Sequence, residues 1–383
     1  MRLTRRKRPG TYHGLVPQKR PLAISCCLVM AAALAACTSA TQARSPASPA
    51  SSRHRAAVVG SRTSPAAVPA ARVSGSASVT LAFAGDVHFT GRTAALLDDP
   101  ATAFGPISSV LKSADLTALN LETAVTSRGT PQPKTYHFRA KPAAFLALRD
   151  AGVDLVTMAN NHVLDYGQAG LADTLAAARA ARFPVVGIGA NAAQAWAPYV
   201  TTINGVKIAI IGVSQVAELA SSWVATSTRP GEAHAIDLGR TLSAVRAAKK
   251  QASVVIVFMH WGTEGTSCPD ANQLSLAPKL AAAGASIIIG AHAHMLQGSG
   301  WLGHTFVAYG MANFLWWENS YSTATGVLML TLHQHTPLTA RFIPAVVSPT
   351  GQPVPLTGAA AAQAAAHYAS LRTCAGLSAQ PSS

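Results

Sequence analysis

Val79-Thr80-Leu81-Ala82-Phe83-Ala84-Gly85-Asp86-Val87-His88 runs from a mostly apolar segment straight into Gly, Asp and His. Read as a strand buried on both faces, it delivers Asp86 and His88 at its carboxyl end, where ligands gather in an open α/β sheet. The arrangement recurs along the chain. Asn120-Leu121-Glu122 follows Leu116–Leu119, Asn160-Asn161-His162 follows Val153–Ala159, His260-Trp261-Gly262 follows Val254–Met259, and His292-Ala293-His294 follows Ile287–Gly290. Strand ends that bring Asp, Glu, Asn and His to one rim build a site of mixed nitrogen and oxygen donors. Such a set suits Zn, Mn or Fe better than Ca or Mg, so the expected cofactor is one or two divalent transition-metal ions.

Helical segments fill the intervals. Ala143–Ala151, Gly170–Ala181, Leu238–Gln251 and Leu274–Gly284 carry helical apolar spacing. They alternate with the strand-like runs Asp154–Met158, Pro184–Ile188, Ile208–Val213, Val254–Met259 and Ile287–Ile289. Thr305–Tyr309, Gly326–Leu332 and Thr339–Val347 come without helices between them and predict an antiparallel or mixed second sheet. Residues 79–349 therefore read as one α/β domain. Residues 350–383 read as a tail with a short helix over Ala359–Ala369 and a fraying end.

The formal net charge of +15 does not belong to that domain. Of the 30 Lys and Arg, 12 fall in residues 1–78, while all 15 acidic residues lie at or beyond Asp86, leaving 18 − 15 = +3 for the rest. A nucleic-acid footprint needs a basic face on the folded part, so nucleic acid is excluded as a partner. The basic stretch Arg5, Arg6, Lys7, Arg8, Lys19 and Arg20 precedes the apolar run Leu22–Ala36, the length of a signal-peptide core and short for a membrane span. It ends in Leu34-Ala35-Ala36-Cys37, which resembles the lipobox of bacterial lipoproteins. That resemblance implies a leader over 1–36, lipid on Cys37 and anchoring at the outer face of the cell membrane. Residues 37–78, rich in Ala, Ser, Thr, Pro and Arg, read as a disordered tether. Cys268 and Cys374 then remain as an even pair in an oxidising compartment, either bridged or as two free thiols.

The polar clusters, taken in order, resemble a family. Ala84-Gly85-Asp86, Leu119-Asn120-Leu121-Glu122, Thr157-Met158-Ala159-Asn160-Asn161-His162 with Asp165 and Gly167, His260-Trp261-Gly262-Thr263-Glu264, Gly290-Ala291-His292-Ala293-His294 and Tyr309-Gly310-Met311-Ala312-Asn313-Phe314 look like the CapA, or poly-γ-glutamate capsule synthesis, proteins. The likeness covers residues 79–345. It implies the calcineurin-like metallophosphoesterase fold, a four-layer α/β/β/α sandwich. It also implies roles. Asp86 and His88 match ligands of a first metal, joined by His294. Glu122 takes the place of the acid that bridges two metals. Asn161, His260 and His292 match ligands of the second metal, and His162 stands near the leaving-group oxygen. Three clusters depart from the phosphoesterase pattern: Asn-Leu-Glu replaces an Asp-based motif, Ala-Asn-Asn-His replaces Gly-Asn-His, and Ala291 separates Gly290 from His292.

The chemistry agrees with those roles. A carboxylate between two cations offsets their repulsion, neutral imidazoles fill the outer positions, and a His that is not a ligand can protonate a leaving oxygen. No Gly-x-Ser-x-Gly elbow, Walker-type loop or dinucleotide fingerprint occurs. Asn120, Asn160, Asp165 and Glu264 are candidates to orient ligands, the last two equally readable as loop acids. Tyr136, Arg139 and Lys141 either line an anionic-substrate pocket or belong to a solvated loop. Trp261, Trp316 and Trp317 either floor a cleft or pack in the core. His304, His333 and His335 lie on the later sheet and suit the surface better than a metal. Three functions stay open: a metal-dependent hydrolase of a phosphoester or an anionic polymer, a non-catalytic assembly or transport accessory working with other capsule-synthesis proteins, and a solute-binding lipoprotein. The histidine array weighs against the last.

Overall fold

A computed structural model describes residues 78–333 and 336–382. The expected leader, the lipidated Cys37 and the tether up to residue 77 fall outside them, as does His335. Two sheets dominate. The first has eight strands and runs in the order Pro353–Pro355, Thr339–Val347, Ala324–Leu332, Val79–Val87, Leu116–Leu121, Leu155–Thr157, Val185–Val186, with Asn313–Leu315 paired to the end of Val79–Val87. The second has six, in the order Ser299–Leu302, Thr305–Ala308, Ile287–His292, Val254–Trp261, Val206–Ser214, Tyr199–Ile203. The first is parallel from Val79–Val87 to its Val185–Val186 edge and antiparallel on the other side, whereas the second has a parallel centre and antiparallel edges.

Side-chain alternation sets the layers. In Val79–Val87, Leu81 and Phe83 face the second sheet, while Ala82 and Ala84 face helices Ala143–Asp150 and Gly167–Ala181. In Val254–Trp261, Ile256 and Phe258 face the first sheet, and Val255, Val257 and Met259 face helices Leu238–Lys249 and Ala271–Ala283. Phe83 and Phe258 meet edge-on across the interior with ring centroids 6.4 Å apart. Three apolar cores thus alternate with four layers, giving the expected α/β/β/α sandwich.

Two expectations need correction. Thr305–Ala308, Ala324–Leu332 and Thr339–Val347 do not form one sheet of their own. The first adds in parallel to Ile287–His292, whereas the other two build antiparallel onto Val79–Val87, because the two ends of the domain pair with each other. Nor does the segment after residue 349 fray at its end, although its expected helix is present. Pro353–Pro355 is an edge strand, helix Gly358–Ser370 buries Tyr368 with its ring 4.0 Å from that of Phe342, and Trp301 exchanges backbone hydrogen bonds with Ser378. Cys374 is bonded to Cys268, with Cα atoms 5.7 Å apart.

Candidate metal centre

One extra residue aims the first ligands. Phe83 pairs with Ala118 but Asp86 pairs with Asn120, so Val79–Val87 holds one residue more than its neighbour over that span. Such a bulge inverts the alternation beyond it. Val87 joins the helix-side core with Ala82 and Ala84, and Asp86 turns to the seam between the sheets. The bulge needs Gly85, because a Cβ there would lie 1.8 Å from the carbonyl oxygen of Ala312. On the partner strand Asn120 and Glu122 continue the inward phase of Leu116 and Ala118.

The second sheet supplies the histidines. His260 keeps the inward phase of Ile256 and Phe258. His292 would face the helix side by alternation, with Ile288, but its φ of 86° turns the chain there, and His294 follows at φ 55°. Non-glycine residues at positive φ carry backbone strain of about 1–3 kcal/mol each and gather at functional sites.

The donors converge in the seam. Asp86, His88, Asn120, Glu122, Asn160 and His260 are wholly buried, and Asn161, His162, His292 and His294 nearly so. Asn120 Nδ2 donates to Asp86 Oδ1 at 2.7 Å and lies 3.1 Å from His260 Nδ1, joining the two sheets. His260 Nε2 lies 2.8 Å from Asn161 Oδ1 and 3.2 Å from Glu122 Oε1. His88 Nε2 is 3.3 Å from Glu122 Oε2, and His294 Nδ1 is 3.2 Å from Asp86 Oδ2. The backbone N–H of His292 donates to that same Oδ2 at 3.1 Å. Asn160 donates to Leu121 O and accepts from the His162 N–H, fixing the third cluster against the second. Asp86, Glu122 and His294 bring ligand atoms within 4.8 Å of one another, and so do Glu122, His260 and His292. The two groups share Glu122.

The electrostatics are those of a cation site. Burial pushes His88 and His292 below the ordinary imidazole value and takes His260 to about 3, so these rings stand neutral, the form that ligates metal. Burial also acts on Asp86 and His294, but their ion pair prevails, holding the carboxyl at about 2 and the imidazole at about 9, so a cation bound there displaces the His294 proton. Glu122 is pushed up by burial and by Asp86. His88 Nδ1 and His292 Nδ1 are buried without a hydrogen-bond partner, and Glu122 Oε1 has only its close approach to His260. Buried polar atoms are rarely left so. A divalent transition metal fits this donor set.

His162 is held differently. Its Nδ1 lies 2.7 Å from Asp165 Oδ2, and Asp165 is in turn paired with Lys134 Nζ at 3.0 Å. Lys134 also meets Glu218 at 2.9 Å and the Asn161 carbonyl, with only 2% of its side chain exposed. Sequence reasoning passed over Lys134 in favour of its neighbours. Lys134 sits in a Gln-Pro-Lys turn with nothing to mark burial, and its role is visible only from its partners. Burial pushes Asp165 up to about 7 against the pull of Lys134, and drives His162 well below its usual value.

A cleft of about 150 Å³ opens over His162 and His294, walled by Tyr136, Phe138, Trp316 and Trp317. Phe138 lies between His88 and His162, at 4.2 and 4.4 Å between ring centroids. Trp261 is core instead, its indole N–H donating to Tyr309 O at 2.9 Å. Arg139 stacks over Tyr166 at 4.7 Å and Lys141 pairs with Asp98 on the surface, so neither reaches this cleft and the grouping with Tyr136 does not hold. His304 is exposed, and His333 contacts Thr339 Oγ1 at 3.3 Å.

The model of a family described as bacterial capsule synthesis protein PGA_cap matches residues 80–316, the span that holds every one of these donors. The chain belongs to this family. Among PGA_cap relatives, the capsule biosynthesis protein CapA of Bacillus anthracis is 29% identical over 246 residues, 62% of this chain and 59% of that protein. The PGA biosynthesis protein CapA of Bacillus subtilis is 28% identical over 242 residues, covering 62% of this chain and 63% of its own length. The match thus spans less than two thirds of either relative. Among solved structures, a phosphatase of Mycoplasma pneumoniae aligns over 71% of this chain and 95% of its own at 14% identity, TM-score 0.45. The NAD nucleotidase of Haemophilus influenzae aligns over 80% and 65% at 15% identity, TM-score 0.45.

Proposed function

We propose that this PGA_cap protein is a metal-dependent hydrolase that processes an anionic capsule polymer of the poly-γ-glutamate kind, or a phosphoester in its assembly. The observation behind this reading is the pair of donor groups that share Glu122, with His162 at their edge. Two bound transition-metal ions supply charge stabilisation at a phosphoryl or carbonyl oxygen and a nucleophile at neutral pH. Asp86, His88 and His294 hold one, Asn161, His260 and His292 the other, and Glu122 offsets their mutual repulsion. His162, neutral by burial, passes a proton to the leaving oxygen and regains one at Nδ1 from Asp165, whose carboxyl is held at about 7 beside it, while Lys134 keeps that acid in place. Phe138, Trp316 and Trp317 keep water from the buried side of the cleft. The polymer enters this reading from the names of the relatives. Lipid on Cys37 places the domain at the outer face of the membrane, beside other capsule-synthesis proteins.

Metal analysis of the purified chain, paired with hydrolysis assays on a phosphodiester and on poly-γ-glutamate across added Mn and Zn, tests the reading. Bound metal with metal-dependent cleavage is the expected result. A chain that takes up no transition metal defeats the proposal, and tight metal binding without cleavage of either substrate turns it into an accessory role.

A further inference from the structure

Glu264 comes from outside the strand ends. It lies in the loop after Val254–Trp261, its side chain 43% exposed, yet its carboxylate forms a third close group with His292 and His294, all ligand atoms within 4.8 Å. We propose that Glu264 is a further metal-ligating residue, closing the centre from the mouth of the cleft, and that Tyr321 sets its orientation. The inference rests on the metal-centre reading above.

Three observations carry it. Tyr321 OH donates to Glu264 Oε2 at 2.6 Å, which leaves Oε1 as the oxygen turned toward His294 Nε2, 4.0 Å away. The Tyr321 ring is itself stacked on His294, centroids 5.8 Å apart and planes 15° from parallel, so the hydroxyl and the imidazole are placed by one contact. The loop is tied to the histidine segment by the Gly265 N–H, which donates to Ala293 O at 2.9 Å. Gly265 stands at φ +76°, and a Cβ there would come 2.8 Å from the Tyr321 ring, so the chain admits the ring only with glycine. An exposed acid serving only solubility needs none of this. Its neighbour His292, 6% exposed, has a buried Nδ1 with no partner in the protein, so the group still has a donor to give.

A carboxylate in this position differs from the deep donors. Asp86 and Glu122 approach from the first sheet, whereas Glu264 approaches from solvent, where an anionic substrate must also arrive. It is therefore the ligand that a substrate oxygen displaces, and its loss weakens the ion without opening the core.

Calorimetric titration of the full chain with Zn²⁺ and with Mn²⁺, and metal content after dialysis, test this in the parent, Glu264→Gln and Tyr321→Phe, with His260→Ala as control. Even groups that only orient a ligand alter affinity by about 10–100-fold. Glu264→Gln should therefore weaken one ion by at least about tenfold, Tyr321→Phe should weaken the same ion by less, and His260→Ala should lose the deeper site. Parent-like affinity and stoichiometry in Glu264→Gln overturns the proposal. Should that variant fail to fold by circular dichroism, unchanged affinity in Tyr321→Phe overturns it. A parent that binds no metal overturns it together with the centre itself, an outcome seen before any variant is made.

Discussion

Lys134 is a cation with almost no access to water, paired with the wholly buried Asp165 and with the part-exposed Glu218. Removing one partner of such a pair strands the other, at a cost of about 3–5 kcal/mol. Lys134→Met should therefore lower the unfolding free energy read from urea titration by that much, and adding Asp165→Asn should recover part of the loss. Additive effects would mean that the two do not act as a pair. His162 makes the opposite prediction. His162→Ala should keep metal and fold while lowering any confirmed hydrolysis by about 10²–10⁴-fold, read from kcat. An unaltered rate removes it from proton transfer. Glu232 gives a pH signature. Burial pushes its carboxyl well above the ordinary value of 4.5, and its Oε2 has no partner. Above that pH the unfolded chain ionises while the fold holds the proton, so stability falls as pH rises and is undiminished below. Glu232→Gln should melt with the parent near about pH 4 and progressively above it toward pH 8. A constant difference across that range would locate the effect elsewhere.

At the scale of elements, the strand Val79–Val87 decides what the site receives. Gly85→Ala places a methyl group 1.8 Å from a backbone oxygen, an overlap that only a shift of the bulge can relieve. It should cost about 3 kcal/mol or more in urea unfolding and take metal binding with it. Retention of both would show that the bulge is not what aims Asp86. The strand ends themselves were legible, because a run buried on both faces reads as apolar and its polar terminus stands out at Asp86, Glu122, His260 and His292. The bulge was not, since Ala84-Gly85 looks the same with or without an extra residue. The hairpin between Tyr199–Ile203 and Val206–Ser214 had its signal in Asn204-Gly205, both at positive φ, but the first strand is half-exposed and too weakly apolar to attract notice. Sheet membership was the largest miss. Nothing in Ala324–Leu332 marks it as the partner of Val79–Val87, because pairing between distant segments leaves no local trace.

The whole molecule is closed at two places. One is the Cys268–Cys374 bond, which spans 106 residues and joins the docked C-terminal segment to the loop beyond Glu264. Its removal by Cys374→Ser should cost about 2–4 kcal/mol, measured by denaturant unfolding with and without reductant. The other is the seam. Asp86 and Glu122 belong to one sheet, His260 and His292 to its partner, and the unfolded chain holds no such cluster. A cation bound there is a clasp whose strength adds to the folding free energy, about 2.7 kcal/mol when free metal stands at a hundred times its Kd. Chelation should then lower the melting temperature of the parent by more than that of His292→Ala, which keeps only the ion held by Asp86, Glu122 and His294. Amide exchange offers the sharper reading: with metal, Val79–Val87 and Val254–Trp261 should slow together, as two boards do under one hinge pin.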